Sequence, residues 1–390
     1  MAAALITSDM IYFDNNATTQ IAPEVFDAMR PYLDASYGNP SSGYAFGQEV
    51  SRTVEASRAS VAGLLGAVDP SEIVFTSCGT ESDNWAVLGA IWAGEGKDHI
   101  ITTRVEHDAV RKLCEKLGRN NYRVTWLEVN EDGLLDLDEL RLALNDKTAV
   151  VSVMQANNET GILFPVNEIA EIVKENSTAL FHVDGVNAAG KVPIDLRSTA
   201  IDLFSISAHK FHGPKGIGAL YIRDGVKLSS FFVGGGQESG RRAGTEAVHQ
   251  IAGIGAAAEF VKDTAPLEKV RELRDQLESS ILNAIPNSRL NGTSDVRNRL
   301  PNTSNISFKN TNGEAILARL DAAGVCVSTG SACNSQDHTV SAVLQAMNVP
   351  YDHAMGAIRF SLGRSNTMDE IDKVVEMLPG IVSGLRKLGN

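Results

Sequence analysis

Ser205-Ile206-Ser207-Ala208-His209-Lys210-Phe211-His212-Gly213-Pro214-Lys215-Gly216 is the stretch from which the rest of the chain can be read. A β-type run from Asp202 to Ser207 ends in a small residue, a histidine and one lysine, then breaks at Gly213-Pro214. A lysine at the end of a buried strand loses hydration, which favours the neutral amine and makes it a usable nucleophile. That is the requirement for a Schiff base with an aldehyde cofactor such as pyridoxal phosphate. A second run, Ala179-Leu180-Phe181-His182-Val183-Asp184, also ends in a charge. A carboxylate there would keep a pyridine nitrogen protonated, the condition for such a ring to act as an electron sink. The same two residues also read as a plain strand-end ion pair.

Outward from this centre the chain alternates strand-like and helix-like segments. Strands are expected at Ile73–Thr76, Ile100–Thr103, Val150–Met154, Leu180–Asp184, Leu203–Ser207 and Ala219–Ile222, with helices such as Thr80–Ala93 and Asn167–Lys174 between them. This α/β order calls for a mostly parallel sheet covered by helices on both faces, with ligands at the carboxyl ends of the strands. Near Ala265-Pro266 the pattern changes to a charged amphipathic helix, Leu267–Leu282, short separated strands at Ile306–Phe308, Val325–Ser328 and Ile358–Leu362, and a closing helix, Glu370–Leu388. With 390 residues, two domains are expected: a large one over 15–264, and a smaller α+β one from 1–14 and 265–390.

Hydrophobic residues at 43% and charged residues at 21% suit a globular enzyme, and a net charge of −13 argues against nucleic-acid or anionic-membrane partners. No apolar run approaches the ~20 residues that span a bilayer. Met1–Met10 lacks the basic start of a signal peptide. Cys78, Cys114, Cys326 and Cys333 show neither paired nor zinc-type spacing, which fits a reducing cytoplasm without disulfides or a resident metal.

Several strand ends carry residues suited to chemistry. Cys78-Gly79-Thr80-Glu81-Ser82 offers small residues and free N–H groups at a helix N-terminus, an anion site or simply a cap. His107 follows a strand and suits ring stacking or proton transfer, or capping. Asn157-Asn158-Glu159-Thr160-Gly161 is turn-rich, and its amides could meet a ring oxygen or a carboxylate. In Gly234-Gly235-Gly236 through Gly244-Thr245, a basic glycine-rich loop, Thr245 could cap the next helix or offer a hydroxyl to phosphate. Cys333, among Gly, Ser and Ala, reads as an exposed nucleophilic thiol, whereas Cys326 between Val325 and Val327 reads as core. Arg359, in a strand, suits a substrate carboxylate or a structural salt bridge.

Together these segments resemble the cysteine desulfurases of the NifS/IscS group, fold-type I pyridoxal-phosphate enzymes, from Tyr12 to about Leu388. The markers are Tyr12-Phe13-Asp14-Asn15-Asn16-Ala17-Thr18-Thr19, Gly38-Asn39-Pro40-Ser41-Ser42, Cys78-Gly79-Thr80-Glu81-Ser82, Asn157-Asn158-Glu159-Thr160-Gly161, His182-Val183-Asp184, Ser207-Ala208-His209-Lys210, Arg241-Arg242-Ala243-Gly244-Thr245 and Gly330-Ser331-Ala332-Cys333. Cys78-Gly79-Thr80 and Ala156-Asn157-Asn158-Glu159-Thr160-Gly161 look nearer the NifS branch.

The resemblance implies a large domain with a seven-stranded, mostly parallel sheet and a smaller α+β domain. It makes Lys210 the Schiff-base lysine and Asp184 the pyridinium partner. Ser207, His209, Gly79 and Thr80 would hold the phosphate, with Thr245 from the other subunit of a homodimer. His107 would stack on the ring, Asn158 and Arg359 would hold the substrate carboxylate, and Cys333 would take sulfur from L-cysteine. Cys333 would hand its persulfide to an acceptor such as a NifU/IscU-like scaffold, and would be at most a transient iron–sulfur ligand. Two departures stand out: Asn187 replaces the usual Gln that donates to the ring oxygen, and Thr339-Val340-Ser341 replaces the usual Glu-Pro-Ser. The competing readings are a selenocysteine lyase or other C–S lyase, which could dispense with Cys333, and an idle assembly scaffold, which would not need Lys210, Asp184, His107 and Cys333 together.

Overall fold

The computed structural model describes residues 10–329 and 340–388; the expected nucleophile Cys333 lies outside them. In chain order the strands are β1 (Ile11–Tyr12), β2 (Ile73–Thr76), β3 (His99–Thr103), β4 (Arg123–Leu127), β5 (Thr148–Ser152), β6 (Leu180–Asp184), β7 (Leu203–Ser207), β8 (Gly218–Ile222), β9 (Ser288–Leu290), β10 (Thr303–Phe308), β11 (Val325–Cys326) and β12 (Ala357–Ser361).

Seven of them form one sheet in the order β2-β8-β7-β6-β5-β3-β4. Its neighbours run parallel except at β8, which is antiparallel to both β7 and β2. Strands β2, β3, β5, β7 and β8 are buried along their whole length, and β6 at all but its first residue. Helices cover both faces, so these strands carry apolar runs such as Ile73-Val74-Phe75 and Ala149-Val150-Val151. The exception is β4, an edge strand that is exposed or half-buried up to Leu127. Its mixed Arg123-Val124-Thr125-Trp126-Leu127 gives no such run, and the sequence did not single it out.

β6 and β7 lie side by side with Asp184 opposite Ser205. Asp184 therefore ends one strand and Ser207 the next, and Lys210 closes the short 3-10 turn Ala208–Lys210 that follows. A second sheet, β12-β10-β9, is antiparallel, and β1 pairs in parallel with β11. These short strands share an apolar core with the helices Ala265–Ala284 and Met368–Leu388, built on Phe13, Leu277, Ile306, Phe360 and Val374. Period-two alternation turns Cys326 away from that core: Val325 and Val327 are buried, Cys326 only half so, contrary to its expected core position. Among the described residues no helix is long and apolar enough to cross a membrane.

Candidate active site

The helix Gly79–Ala93 begins directly after β2 and the turn Ser77-Cys78, and its N-cap residue Cys78 makes no side-chain cap bond. Its first N–H groups are therefore open to an anion, with the helix dipole behind them. A Cβ on Gly79 would stand 2.7 Å from Val186 Cγ2 and 3.4 Å from Ser207 Cβ, so glycine is what lets the helix approach the ends of β6 and β7. Ser207 Oγ is buried there without a hydrogen-bond partner. A buried hydroxyl facing an uncapped helix end is the arrangement a phosphate group would complete. Thr80, in the first turn, is exposed.

The N-terminal segment clamps the lysine turn from the other side. Thr19 N and Oγ1 both donate to His209 O, at 2.8 and 3.0 Å, and His212 N donates to Thr19 Oγ1 at 2.7 Å. His209 Nδ1 lies 3.2 Å from Thr18 Oγ1, and burial followed by repulsion from Lys210 pushes this imidazole down to about 4, so it stays neutral. Lys210 Nζ donates to the carbonyls of Asn16 at 2.5 Å and Ala17 at 3.1 Å.

Asp184 is buried, and its Oδ1 accepts from Val186 N at 2.9 Å. Burial raises its pKa, opposed by the nearby His107 and Lys210 charges and by that hydrogen bond. The carboxylate and the amine thus lie within electrostatic reach of each other. His107 caps the helix Asp108–Arg119: its Nδ1 accepts from Ala109 N at 3.2 Å, which leaves Nε2 as the protonated nitrogen of the neutral ring. Burial, the largest influence, lowers its pKa although Asp184 acts the other way. Capping and proximity to Asp184 are both realised by one side chain.

Behind Asp184 the structure holds two acids absent from the sequence reading. Glu106 Oε1 accepts from Thr103 Oγ1 at 2.8 Å and Met154 N at 3.1 Å, while its Oε2 is buried without a partner. Asp83 Oδ1 is likewise buried and unbonded, 3.6 Å from His182 Nε2. His182 is held between Ser152 and Ser205 at 2.9 Å each, and burial pushes it down to about 3. Burial drives Asp83 well up, with Asp184 adding to it, and drives Glu106 up to about 8. Glu106 is therefore mostly neutral near pH 7, burial disfavours the charged form of Asp83, and Asp184 is the acid of the cluster that faces the His107 and Lys210 charges.

This sets a pH dependence. Glu106 ionises near 4.5 when unfolded and near 8 when folded, so its stabilising contribution is complete below pH 4.5 and is lost as pH rises through 8. Glu106→Gln keeps the shape and removes the titration. Between about pH 5 and about pH 7.5 the wild type should lose roughly 1.4 kcal/mol per pH unit relative to the variant. Urea unfolding of both proteins at the two pH values measures this difference; equal slopes would contradict the assignment.

Toward the smaller sheets, Arg359 on β12 donates through Nη1 to Asn158 O at 2.9 Å and through Nη2 to Asp14 Oδ1 at 2.6 Å, leaving Nε buried and unbonded. The structural ion pair foreseen as an alternative is present, and Nε remains without a partner. Asn16 ties the region together: its Nδ2 donates to Asn158 O at 3.2 Å and Thr303 Oγ1 at 2.8 Å, while its carbonyl holds Lys210. Its role was legible only as part of a motif. Asn187 is buried three residues after Asp184, and Lys191 Nζ donates to its carbonyl and to its Oδ1.

Thr245 is not beside Asp184 and Lys210 of its own chain. It is exposed and lines a separate cavity of about 180 Å³ with Ser77, Gly216 and Arg242. Nor does it cap the next helix, which starts at Val248 with Ala247 as N-cap and no side-chain cap. Arg242 fixes the loop, binding Glu81 at 2.9 and 3.1 Å.

The carboxyl ends of β6 and β7 thus carry open helix N–H groups with an unbonded Ser207 Oγ, a buried carboxylate at Asp184 and an amine at Lys210, the donor set that a pyridoxal-phosphate site requires. The class-V aminotransferase family model matches residues 11–374, and the chain belongs to this pyridoxal-phosphate-dependent family. It is 52% identical over 381 residues to the cysteine desulfurase of Trichormus azollae, covering 97% of this chain and 94% of that protein. It is 47% identical over 380 residues to the cysteine desulfurase NifS of Azotobacter vinelandii, with the same coverage of each. A solved NifS-like protein superposes with a TM-score of 0.90 at 38% identity, covering 96% of this chain and 100% of that one. The protein SspA, solved in complex with cysteine, superposes with a TM-score of 0.81 at 32% identity, covering 92% and 100%.

Proposed function

We infer that this chain is a cysteine desulfurase that uses pyridoxal phosphate to take sulfur from L-cysteine, releasing L-alanine. The observation that carries the reading is the pairing of Asp184 and Lys210 at the ends of neighbouring strands, beside the uncapped helix that starts at Gly79. When bound, the cofactor supplies the electron sink that lets bonds at the substrate's carbons break.

The protein's residues do the rest. Gly79, Thr80, Ser207 and His209 would hold the phosphate, Asp184 would keep the ring nitrogen protonated, and Asn187 would donate to the ring oxygen. His107 would face the ring and move protons through Nε2. Asn158 and Arg359 hold the substrate carboxylate, Arg359 through the donor that Asp14 and Asn158 leave free. The Cys333 thiolate bonds to the substrate sulfur as the carbon–sulfur bond breaks, a proton takes sulfur's place on carbon, and a persulfide remains for an acceptor such as a NifU/IscU-like iron–sulfur scaffold.

A homodimer is part of this reading. Phe231 stacks on both Trp92 and Phe232, and Val233 is 91% exposed, an apolar patch on the loop that leads to Thr245. A second copy covering it would bring Thr245 to its partner's phosphate. The division into a large domain over 15–264 and a small one from 1–14 and 265–390 follows the separate core around Phe13, Leu277 and Val374, although Val343, Leu344 and Met347 pack on the core of the large domain, and cytoplasmic work fits the free thiols of Cys78, Cys114 and Cys326. Holoenzyme given L-cysteine and a thiol reductant should release alanine and sulfide in equal amounts. Cysteine consumed without alanine would overturn the reading.

A further inference from the structure

Lys191 has no part in the chemistry above, yet it borders the site. It is 8% exposed, and its amine meets the carbonyl of Asn187 at 3.2 Å and Asn187 Oδ1 at 3.4 Å. No carboxylate among the described residues neutralises it. An unpaired buried ammonium is costly; burial first, then repulsion from Lys210 and Arg359, lowers this amine to about 7. Lys191 and Lys210 also line one small cavity of about 30 Å³, with Asn15 and Thr19.

The contact decides how the Asn187 amide is presented. Asn187 sits in the tight turn after Asp184, where Ala188 N and Ala189 N both donate to Gly185 O, so its backbone is fixed. The side chain still has two faces, one that donates and one that accepts. Protonated, Lys191 can only donate, and its Nζ is placed to donate to Oδ1. Nδ2, which makes no hydrogen bond among the described residues, is the end left over.

We propose that Lys191 is a positioning residue of the cofactor pocket: its amine, bonded to both oxygens of Asn187, fixes that amide so that its NH2 group serves as the donor to the ring oxygen of the cofactor. The proposal rests on the pyridoxal-phosphate reading of the site. It also accounts for Asn at 187, because a shorter side chain gains from being held in one orientation.

The test is a double-mutant cycle on the holoenzyme without substrate, reading the dissociation constant of pyridoxal phosphate by equilibrium dialysis together with the absorption spectrum of the bound cofactor. Lys191→Met, of similar volume but without a donor, should weaken binding about 5- to 10-fold and alter the spectrum. Asn187→Ala should weaken binding by a similar factor, and the double variant no more than Asn187→Ala alone. Lys191→Arg, which retains donors, should return affinity toward that of the wild type. Losses that multiply in the double variant, or a Lys191→Met protein indistinguishable from wild type, would overturn the proposal and leave the cofactor reading intact. A wild type that binds no pyridoxal phosphate would overturn both.

Discussion

Lys210→Ala should give a folded protein that carries no covalently bound cofactor chromophore and turns over L-cysteine at least about a thousandfold more slowly. The fold should survive because the clamp on this turn does not depend on the side chain. Thr19 N and Oγ1 hold His209 O, and Thr19 Oγ1 takes the His212 N–H. What disappears is the amine, whose contacts to the Asn16 and Ala17 carbonyls keep it at the mouth of the pocket. Absorption of the purified protein and an unchanged thermal midpoint separate this outcome from unfolding. A Lys210→Ala protein with wild-type colour and turnover would remove the lysine from the chemistry.

Asp184→Asn should be the second large effect, a fall of about a thousandfold in turnover in a protein that stays coloured. Asparagine preserves the shape and can still accept from Val186 N. It cannot carry the negative charge that keeps a ring nitrogen protonated. Asp83 and Glu106 are poor substitutes, since burial disfavours the charged form of both. Removing the charge also removes the desolvation cost of a buried carboxylate, so the cofactor-free variant should be no less stable than the wild type. Turnover and urea unfolding measured side by side check both halves; loss of stability with turnover intact would assign Asp184 a purely structural role.

The chain announces its centre more clearly than its surroundings. Asp184, Ser207 and Lys210 were legible because a buried strand that ends in a charged or hydroxyl group breaks an apolar run, and those breaks fall next to one another in the sheet. His107, Asn158 and Arg359 were visible as residue types but ambiguous in role; the structure gives His107 a cap and Arg359 an ion pair in addition to a place near the pocket. Asp83, Glu106 and Lys191 were not legible. Nothing in a sequence says that a helical aspartate or a loop glutamate will be buried without a cation, because that follows from packing between segments far apart in the chain. The edge strand β4 was missed for a related reason: half its surface meets solvent, so its pattern lacks the apolar run that marks the inner strands. Cys326 shows the converse, valine neighbours suggesting a core that the pleat turns it away from.

The claim on which everything converges is that sulfur leaves L-cysteine for Cys333, and mass spectrometry of the protein after one round with L-cysteine tests it most directly. The wild type should gain one sulfur atom on the peptide that contains Cys333, with one alanine released per atom gained. Cys333→Ser should gain none and release no alanine beyond a trace. Equal alanine from both proteins, or an added sulfur on Cys78, Cys114 or Cys326 instead, would contradict the account.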